Sequence, residues 1–255
     1  MEGNILEEIM ISKLSEFMDY VEKLPKEFMV SRGQGNKLHS LLPGALRKDA
    51  SGNFKYTRQS IAYFLNEFKV NSHNYMKRPS DIENNYEWMI YGQHYGIPTR
   101  LLDFTTSHII SLMFAVESAF EDKESEDGVV WFLDPIKLNN ESCYRSQIIT
   151  LSDNENISLD NCNGPIVIQG RKLNKRINAQ SGLFIYFQDS SDALENIIKR
   201  EDILKKVIIK QECKRDILVS LYSMGIGMTQ IYPELSSVAK DIIMKENIKQ
   251  YLREE

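Results

Sequence analysis

Apolar residues recur along this chain with two different periods, and the change of period marks where helices give way to strands. Between residues 81 and 95 apolar side chains return every three or four positions, which is the spacing of one helix face. Gly96 and Pro98 follow, so the helix is predicted to end there. Residues 99–104 predict a short strand, and the apolar residues 109–116 predict a second, largely buried helix.

Similar patterns predict the rest of the fold. Helices are expected at residues 5–24, 59–68, 192–199, 213–222 and 234–252, and strands at 28–33, 128–133, 166–168, 183–187 and 207–209. Helices and strands mix without strict βαβ alternation, which favours an α+β fold: a single domain with a mixed or antiparallel sheet core and flanking helices. We divide the chain into an N-terminal helix, 1–24, and a domain, 25–255. Weakly periodic, polar residues 137–164 predict an insertion or a long loop with short elements.

Composition narrows the class of protein only a little. The 255 residues carry 31 Lys and Arg against 36 Asp and Glu, a net charge of −5, so no basic surplus indicates a broad nucleic-acid surface. Three widely spaced cysteines predict neither a disulfide framework nor a metal site. Without a signal peptide or an apolar run of membrane-spanning length, the expected location is cytoplasmic, with no membrane partner.

The polar residues between the two central helices are the strongest candidates for chemistry. Burying such groups costs free energy unless they are paired, so their concentration between two apolar helices indicates a site. They are Gln93, His94, Arg100, Asp103, Thr105 and Ser107.

Two segments carry a resemblance to a known family. Arg32-Gly33-Gln34 and the run 93–105, Gln-His-Tyr-Gly-Ile-Pro-Thr-Arg-Leu-Leu-Asp-Phe-Thr, resemble the FRG domain family, and residues 176–184 and 232–235 are also similar to it. The resemblance covers roughly residues 25–245. Ser31 stands where that family has an aromatic residue, which would mostly pack and matters little for chemistry.

A second resemblance, to ADP-ribosyltransferases, supplies an activity. The order of Arg32, a Thr105-Thr106-Ser107 triplet whose helix runs to Phe114-Ala115, and a late Glu234 is similar to the Arg, Ser-Thr-Ser, Glu order of those enzymes. It implies an ADP-ribosyltransferase-like fold with no bound cofactor and NAD+ as co-substrate. It further implies a macromolecular acceptor (RNA, DNA or protein), a toxin or phage-defence role, and an antitoxin or other inhibitory partner.

Each candidate residue has a functional and a structural interpretation. The guanidinium of Arg32 suits a pyrophosphate, but it could instead pair with Asp103. Thr105, Thr106 and Ser107 could position a ribose, cap the second helix or do both, and Glu234 could stabilise a developing cation or favour a helix start. His94 is a candidate acid, base or ribose ligand, or a helix C-cap partner.

Arg100 and Asp103, three residues apart, most simply form a salt bridge. Arg176 and Gln180 could contact a ligand or belong to a hydrogen-bond network at a strand edge. The candidate site is therefore catalytic Arg32, His94 and Glu234, with NAD+ bound by Arg32, Gly33, Gln34, Gln93, Arg100, Asp103, Thr105, Thr106, Ser107, Arg176 and Gln180. The alternatives are a non-catalytic module that binds a nucleotide or nucleic acid, and an interaction domain whose polar run is only a buried network.

Overall fold

The apolar segments of the chain meet in one eight-stranded sheet. The computed structural model describes residues 6–121, 126–151, 158–171, 178–189 and 192–254. The strands are β1 (Glu8–Ile11), β2 (Val30–Gln34), β3 (Leu101–Thr105), β4 (Gly128–Leu133), β5 (Ile149–Thr150), β6 (Ile166–Gln169), β7 (Gly182–Tyr186) and β8 (Leu204–Ile209). Their order is β1-β8-β4-β2-β3-β7-β6-β5, parallel in the two edge pairs and antiparallel elsewhere, which confirms the mixed sheet of an α+β fold.

Helices cover both faces of this sheet. The described segments contain α1 (Leu14–Lys23), α2 (Arg58–Ser72), α3 (Asn85–His94), α4 (His108–Val116), α5 (Pro135–Cys143), α6 (Leu194–Ile197), α7 (Lys214–Ser223), α8 (Met228–Ile231) and α9 (Leu235–Glu254). Alternate residues of β4 enter different cores: Val130 and Phe132 pack with α1, α4 and α7, while Trp131 packs on the other face. None of the helices in these segments combines the length and apolarity needed to cross a bilayer.

The central helix–strand–helix unit forms where the sequence predicts it. Asn84 accepts a hydrogen bond from the backbone N–H of Glu87 at 2.9 Å and so caps the start of α3. The helix begins later than residue 81 because Pro79–Asp81 forms a separate 3₁₀ turn. It ends as expected: Gly96 takes a φ of +93°, a left-handed conformation that favours glycine.

The N-terminal helix expected over residues 5–24 is wrong at its start. Glu8–Ile11 forms β1, which pairs in parallel with β8, and α1 begins only at Leu14. Ile9 and Ile11 fit both a helical and a strand period, and a short segment cannot separate the two. Backbone pairing with the free edge of β8 stabilises the strand conformation of Glu8–Ile11. The division of the chain at residue 24 stays a prediction.

The polar segment 137–164 contains more structure than its weak periodicity suggests. Asp134 caps α5 by accepting hydrogen bonds from the N–H groups of Ile136 and Lys137. Asn139 is buried in α5 and pairs with β6: its Oδ1 accepts from Val167 N at 2.7 Å and its Nδ2 donates to Val167 O at 2.9 Å. Because the polar Asn139 occupies a buried position of α5, the hydrophobic periodicity of this helix is weak in the sequence. Residues 152–157 lie outside the described part.

A buried ion pair joins α3 to the chain beyond β6. Glu87 is completely buried, and its carboxylate accepts hydrogen bonds from Nε and Nη2 of Arg171, both at 2.6 Å. The second oxygen also accepts from the backbone N–H of Glu83 at 2.9 Å. This pairing compensates the carboxylate for the loss of water and fixes α3 against the sheet.

The sheet is continuous but has a narrow seam in its middle. β2 pairs with β4 along its full length, from Val30 opposite Leu133 to Gln34 opposite Val129. With β3 it shares a single residue pair, Ser31 opposite Thr105. The two strands therefore diverge on the Arg32 side of that pair, and the divergence leaves space inside the sheet layer.

Candidate functional site

A cavity of about 350 Å³ lies at this seam. Both diverging strands contribute to it, because Arg32 and its neighbours come from β2 while Asp103 and Thr105 come from β3. The residues that line it are Ser31, Arg32, Gly33, Gln34, Gly35, His39, Arg47, Ile90, Gln93, His94, Asp103, Phe104, Thr105, Phe114, Glu117, Gln180, Gly182, Phe184 and Tyr232. Its volume lies at the lower end of the range for small-molecule sites.

The guanidinium of Arg32 is held mainly by the backbone. Its Nη1 donates to the carbonyl oxygen of Asp103 at 2.7 Å, and the nearest Asp103 carboxylate oxygen is 3.9 Å away. The Nε is buried and has no hydrogen-bond partner among the described residues. Burial lowers the pKa of Arg32 and the nearby charge of Arg47 lowers it further, whereas Asp103 raises it. An arginine remains protonated after such shifts, so the cavity contains an incompletely compensated cation.

Asp103 accepts hydrogen bonds from Gln93 as well as from Arg32. Gln93 Nε2 donates to Asp103 Oδ2 at 2.7 Å, and the hydroxyl of Thr99 donates to Gln93 Oε1. The chain Thr99–Gln93–Asp103–Arg32 thus links the end of α3 to both diverging strands. This explains why these polar residues lie between apolar helices, since each one satisfies its neighbour.

Gly33 allows α4 to approach the sheet closely. A Cβ at this position would overlap the backbone carbonyl of Ser111 in α4. Beside it, the hydroxyl of Ser31 lies 2.8 Å from both Ser111 Oγ and His108 Nδ1. The absence of a side chain at Gly33 therefore permits a helix to lie directly on β2.

A carboxylate that the sequence interpretation missed lines the same cavity as Arg32. Glu117 is the C-cap of α4, and the hydroxyl of Tyr232 donates to both its oxygens at 3.4–3.5 Å. A negative charge is unfavourable at a helix C-terminus because of the helix dipole. The signal in the sequence was an acidic residue directly after an apolar helix. Its unfavourable interaction with the helix dipole indicates that another group must stabilise the carboxylate.

A second cavity of about 350 Å³ adjoins the first. Four residues, Arg32, Arg47, Gln93 and Asp103, line both. The second cavity continues past Lys55 and Tyr56 toward the turn that follows α3. Arg47 donates from Nε to the carbonyl oxygen of Leu42 at 3.4 Å, which directs it along this boundary.

The structure brings together many of the predicted site residues, though not all. Eight of them line the first cavity: Arg32, Gly33, Gln34, Gln93, His94, Asp103, Thr105 and Gln180. Glu234 is exposed, accepts a hydrogen bond from Ser236 Oγ and is not among the lining residues described. Thr106 and Ser107 are not among them either. Arg176 lies outside the described residues.

The structure contradicts one of the structural interpretations and supports another. The expected salt bridge between Arg100 and Asp103 is wrong, because Arg100 Nη1 pairs with Asp160 at 2.7 Å and Asp189 at 2.8 Å. Asp103 is used by Arg32 and Gln93 instead. Thr105 supports the start of α4, since its Oγ1 accepts from the backbone N–H of Ser107 at 3.0 Å and donates to the carbonyl oxygen of Gln180 at 2.6 Å.

The geometry defines a class of protein: an α+β protein with a cation-bearing cavity between two diverging central strands. Residues 27–124 match the model of the FRG domain family, which confirms that resemblance for this segment. The segment contains Arg32, the 93–105 run and Glu117, whereas Gln180 and Tyr232 lie beyond it. No curated protein and no solved structure matches the chain. The match names a domain and assigns it no reaction.

No three histidine, cysteine or acidic side chains come together as metal ligands in the described segments. The guanidinium of Arg32, with amide and hydroxyl groups near it, can bind an anionic group of an organic ligand, while Asp103 and Glu117 add carboxylates to the same cavity.

Proposed function

We propose that this protein is an ADP-ribosyltransferase-like enzyme that cleaves NAD+ and transfers ADP-ribose to a macromolecular acceptor. One observation carries the proposal: a partly buried guanidinium, whose Nε is buried without a hydrogen-bond partner among the described residues, and a carboxylate line the same cavity, Arg32 from β2 and Glu117 from the end of α4. The resemblance of the Arg32 and Thr105–Ser107 segments to transferases supports the choice of NAD+.

Arg32 would bind the diphosphate of NAD+. Its planar fork matches phosphate oxygens, and an anion beside the unpaired Nε would supply the missing hydrogen-bond acceptor. Arg47, which also lines the cavity, adds a second positive charge. A cavity of this volume would enclose only part of the dinucleotide, and we assign it the nicotinamide ribose half.

Glu117 would act at the reacting carbon of that ribose. As the bond from C1′ to nicotinamide breaks, the pyridinium nitrogen takes the electron pair and nicotinamide leaves as a neutral molecule. The carboxylate stabilises the positive charge that develops on the ribose. An acceptor nucleophile then bonds to C1′ and gives up its proton, which Glu117 can accept. Tyr232 fixes the position of Glu117 through its hydroxyl.

The test is transfer of label from NAD+ carrying a radioactive adenylate phosphate, with cell lysate as the source of acceptors. Wild type is expected to release nicotinamide and label a macromolecule. Arg32→Ala and Glu117→Gln should each reduce the rate by roughly a hundredfold or more. The matched controls are Arg253→Ala and Glu121→Gln, both exposed positions, which should keep the wild-type rate.

Glu234→Gln separates the two candidate carboxylates. Loss of activity in this variant but not in Glu117→Gln would transfer the catalytic role to the residue that the sequence resemblance names. Binding of NAD+ without nicotinamide release would favour a non-catalytic nucleotide-binding module, and absence of binding would overturn the proposal. A toxin role follows if expression of wild type, but not of Glu117→Gln, arrests growth, and a co-expressed protein that relieves this arrest would identify the inhibitory partner.

A further inference from the structure

We infer that the acceptor is a single-stranded nucleic acid, bound by the turn of residues 47–56 beside the second cavity. This inference rests on the proposed function for its role in transfer, but its binding step can be measured independently. We call this segment the 47–56 hairpin. It carries Arg47, Lys48, Phe54, Lys55 and Tyr56, of which Arg47, Lys55 and Tyr56 line the second cavity.

The hairpin is held in a defined shape by its own backbone. Lys48 and Phe54 form an antiparallel bridge, and the N–H of Lys55 donates to the carbonyl oxygen of Arg47 at 3.0 Å. At the tip, the N–H of Asp49 donates to Asn53 O at 2.8 Å, and Gly52 takes a φ of +82°. A surface that is already ordered loses less entropy when it binds a ligand.

Its side chains combine positive charge with an accessible aromatic ring. Phe54 is 50% exposed, and Lys48 Nζ lies 5.4 Å from the centre of its ring. The single carboxylate of the hairpin, Asp49, accepts hydrogen bonds from the N–H groups of Ser51 and Asn53 at 2.8 and 3.0 Å. These hydrogen bonds hold the Asp49 carboxylate against the turn backbone, and the two lysines and one arginine of the hairpin outnumber this single negative charge.

The aromatic surface continues beyond the hairpin. Tyr56 packs edge-on against Phe64 of α2, with ring centres 5.2 Å apart, and the neighbouring Tyr63 is 59% exposed. Helix α2 has no fully buried residue, although its apolar spacing predicts a buried face. Tyr63 therefore adds an exposed ring next to the Tyr56–Phe64 pair, and Tyr56 connects this pair to the second cavity.

Phosphates and unstacked bases together match this surface better than other polyanions do. Lysines beside the backbone of a single strand, with aromatic rings under its bases, are the usual elements of sequence-tolerant binding. A duplex keeps its bases stacked and cannot use Phe54, and an acidic peptide would use the lysines alone. The overall charge of −5 does not oppose this, because binding responds to the local field.

The position of the hairpin suits an acceptor site. The second cavity meets the first at Arg32 and Arg47, so a nucleotide in the second cavity would lie next to the cavity assigned to NAD+. The two substrates of a transfer reaction must be held side by side in this way.

Binding is tested by fluorescence anisotropy without NAD+, using four probes: a short unstructured RNA, the same sequence as single-stranded DNA, its duplex, and a polyglutamate peptide. Single strands should bind at least tenfold more tightly than the duplex or the peptide, and the two single-stranded probes identify the sugar that is preferred. Phe54→Ala should weaken single-strand binding roughly tenfold. Lys48→Gln with Lys55→Gln should reduce the slope of log K against log salt by about 1.4.

The controls carry the same changes elsewhere. Tyr75→Ala removes a ring that is 91% exposed in another turn, and Lys245→Gln with Lys249→Gln removes two charges from α9; both should bind as wild type. Equal binding of duplex or polyglutamate, or unchanged binding by Phe54→Ala, overturns the inference.

Transfer assays then separate this inference from the proposed function. With NAD+ added, the hairpin variants should lose label on the oligonucleotide while they retain release of nicotinamide into water. Label that appears only on protein would overturn the nucleic-acid assignment and leave the transferase proposal intact. Oligonucleotide binding without any NAD+ cleavage would overturn the transferase proposal and leave the nucleic-acid binding site intact.

Discussion

Arg32 reaches Asp103 through the main chain: Nη1 lies 2.7 Å from the carbonyl oxygen, while the carboxylate of the same residue is 3.9 Å away and accepts from Gln93. The pair is therefore not the closed salt bridge that would make Arg32 purely structural. The backbone orients the guanidinium, and the positive charge stays available to the cavity.

Arg32→Lys is expected to weaken binding of ADP-ribose by tenfold or more, as measured by calorimetry. Lysine keeps the charge but loses the planar fork, and it cannot donate to Asp103 O and to a phosphate with the same geometry. The matched control is Arg253→Lys on the exposed end of α9. Equal affinities for wild type and Arg32→Lys would contradict a bidentate role.

Gly33→Ala should lower the melting temperature by roughly 5 °C or more, because the new methyl group overlaps the Ser111 carbonyl and α4 must shift. Gly44→Ala is the control, since a Cβ there meets nothing within 4 Å. Circular dichroism melts of the two variants measure the difference. A Gly33→Ala protein as stable as wild type would mean that α4 does not sit this closely on β2.

Arg171→Met should destabilise the protein more than Glu87→Gln does. The first change leaves a completely buried carboxylate without its partner, whereas the second leaves an arginine whose side chain is about one-third exposed and can be hydrated. We expect Arg171→Met to lower the melting temperature by roughly 5 to 10 °C.

The double variant Glu87→Gln with Arg171→Met should recover part of that loss, because no charge then remains buried. Equal melting temperatures for the two single variants would contradict the larger cost predicted for the unpaired carboxylate.

His108 should make the protein less stable as the pH falls below about 6.5. Burial lowers the pKa of His108, and this outweighs the opposing hydrogen bond to the backbone of Phe28. A lowered pKa means that the folded state favours the neutral ring. The contribution is present above the ordinary pKa and is lost as the pH falls through the folded-state value.

Melting temperatures at about pH 7.5 and about pH 5.5 measure this effect. His108→Gln should show a smaller decrease than wild type, whereas His39→Gln, at an exposed position, should keep the wild-type decrease. An identical decrease in His108→Gln would assign the pH dependence to other groups.

The central unit of the fold was predictable because its signals are local. Asn84, Gly96 and the apolar run of α4 act on their own backbone, and α3, β3 and α4 follow from them. The predictions that failed depend on distant partners. β1 forms because its backbone pairs with β8. Arg100 forms ion pairs with Asp160 and Asp189, which are both distant in the sequence.

In the candidate site, too, residues within sequence motifs were predictable, whereas a residue that depends on a distant contact was not. Arg32, Gln93 and Asp103 were found from their motifs, and the structure places them together. Glu117 was missed because it belongs to neither motif, and its contact with Tyr232 spans more than a hundred residues. The Glu117→Gln and Glu234→Gln variants described above distinguish the two candidate carboxylates of the proposed transferase.

The single residue pair between β2 and β3 affects how the first cavity can evolve. The divergence of the two main chains creates the space, so substitutions of the lining side chains would change which ligand fits without closing the cavity. Relatives with other side chains at these positions would therefore share an entrance in the sheet while differing in the molecules that they admit.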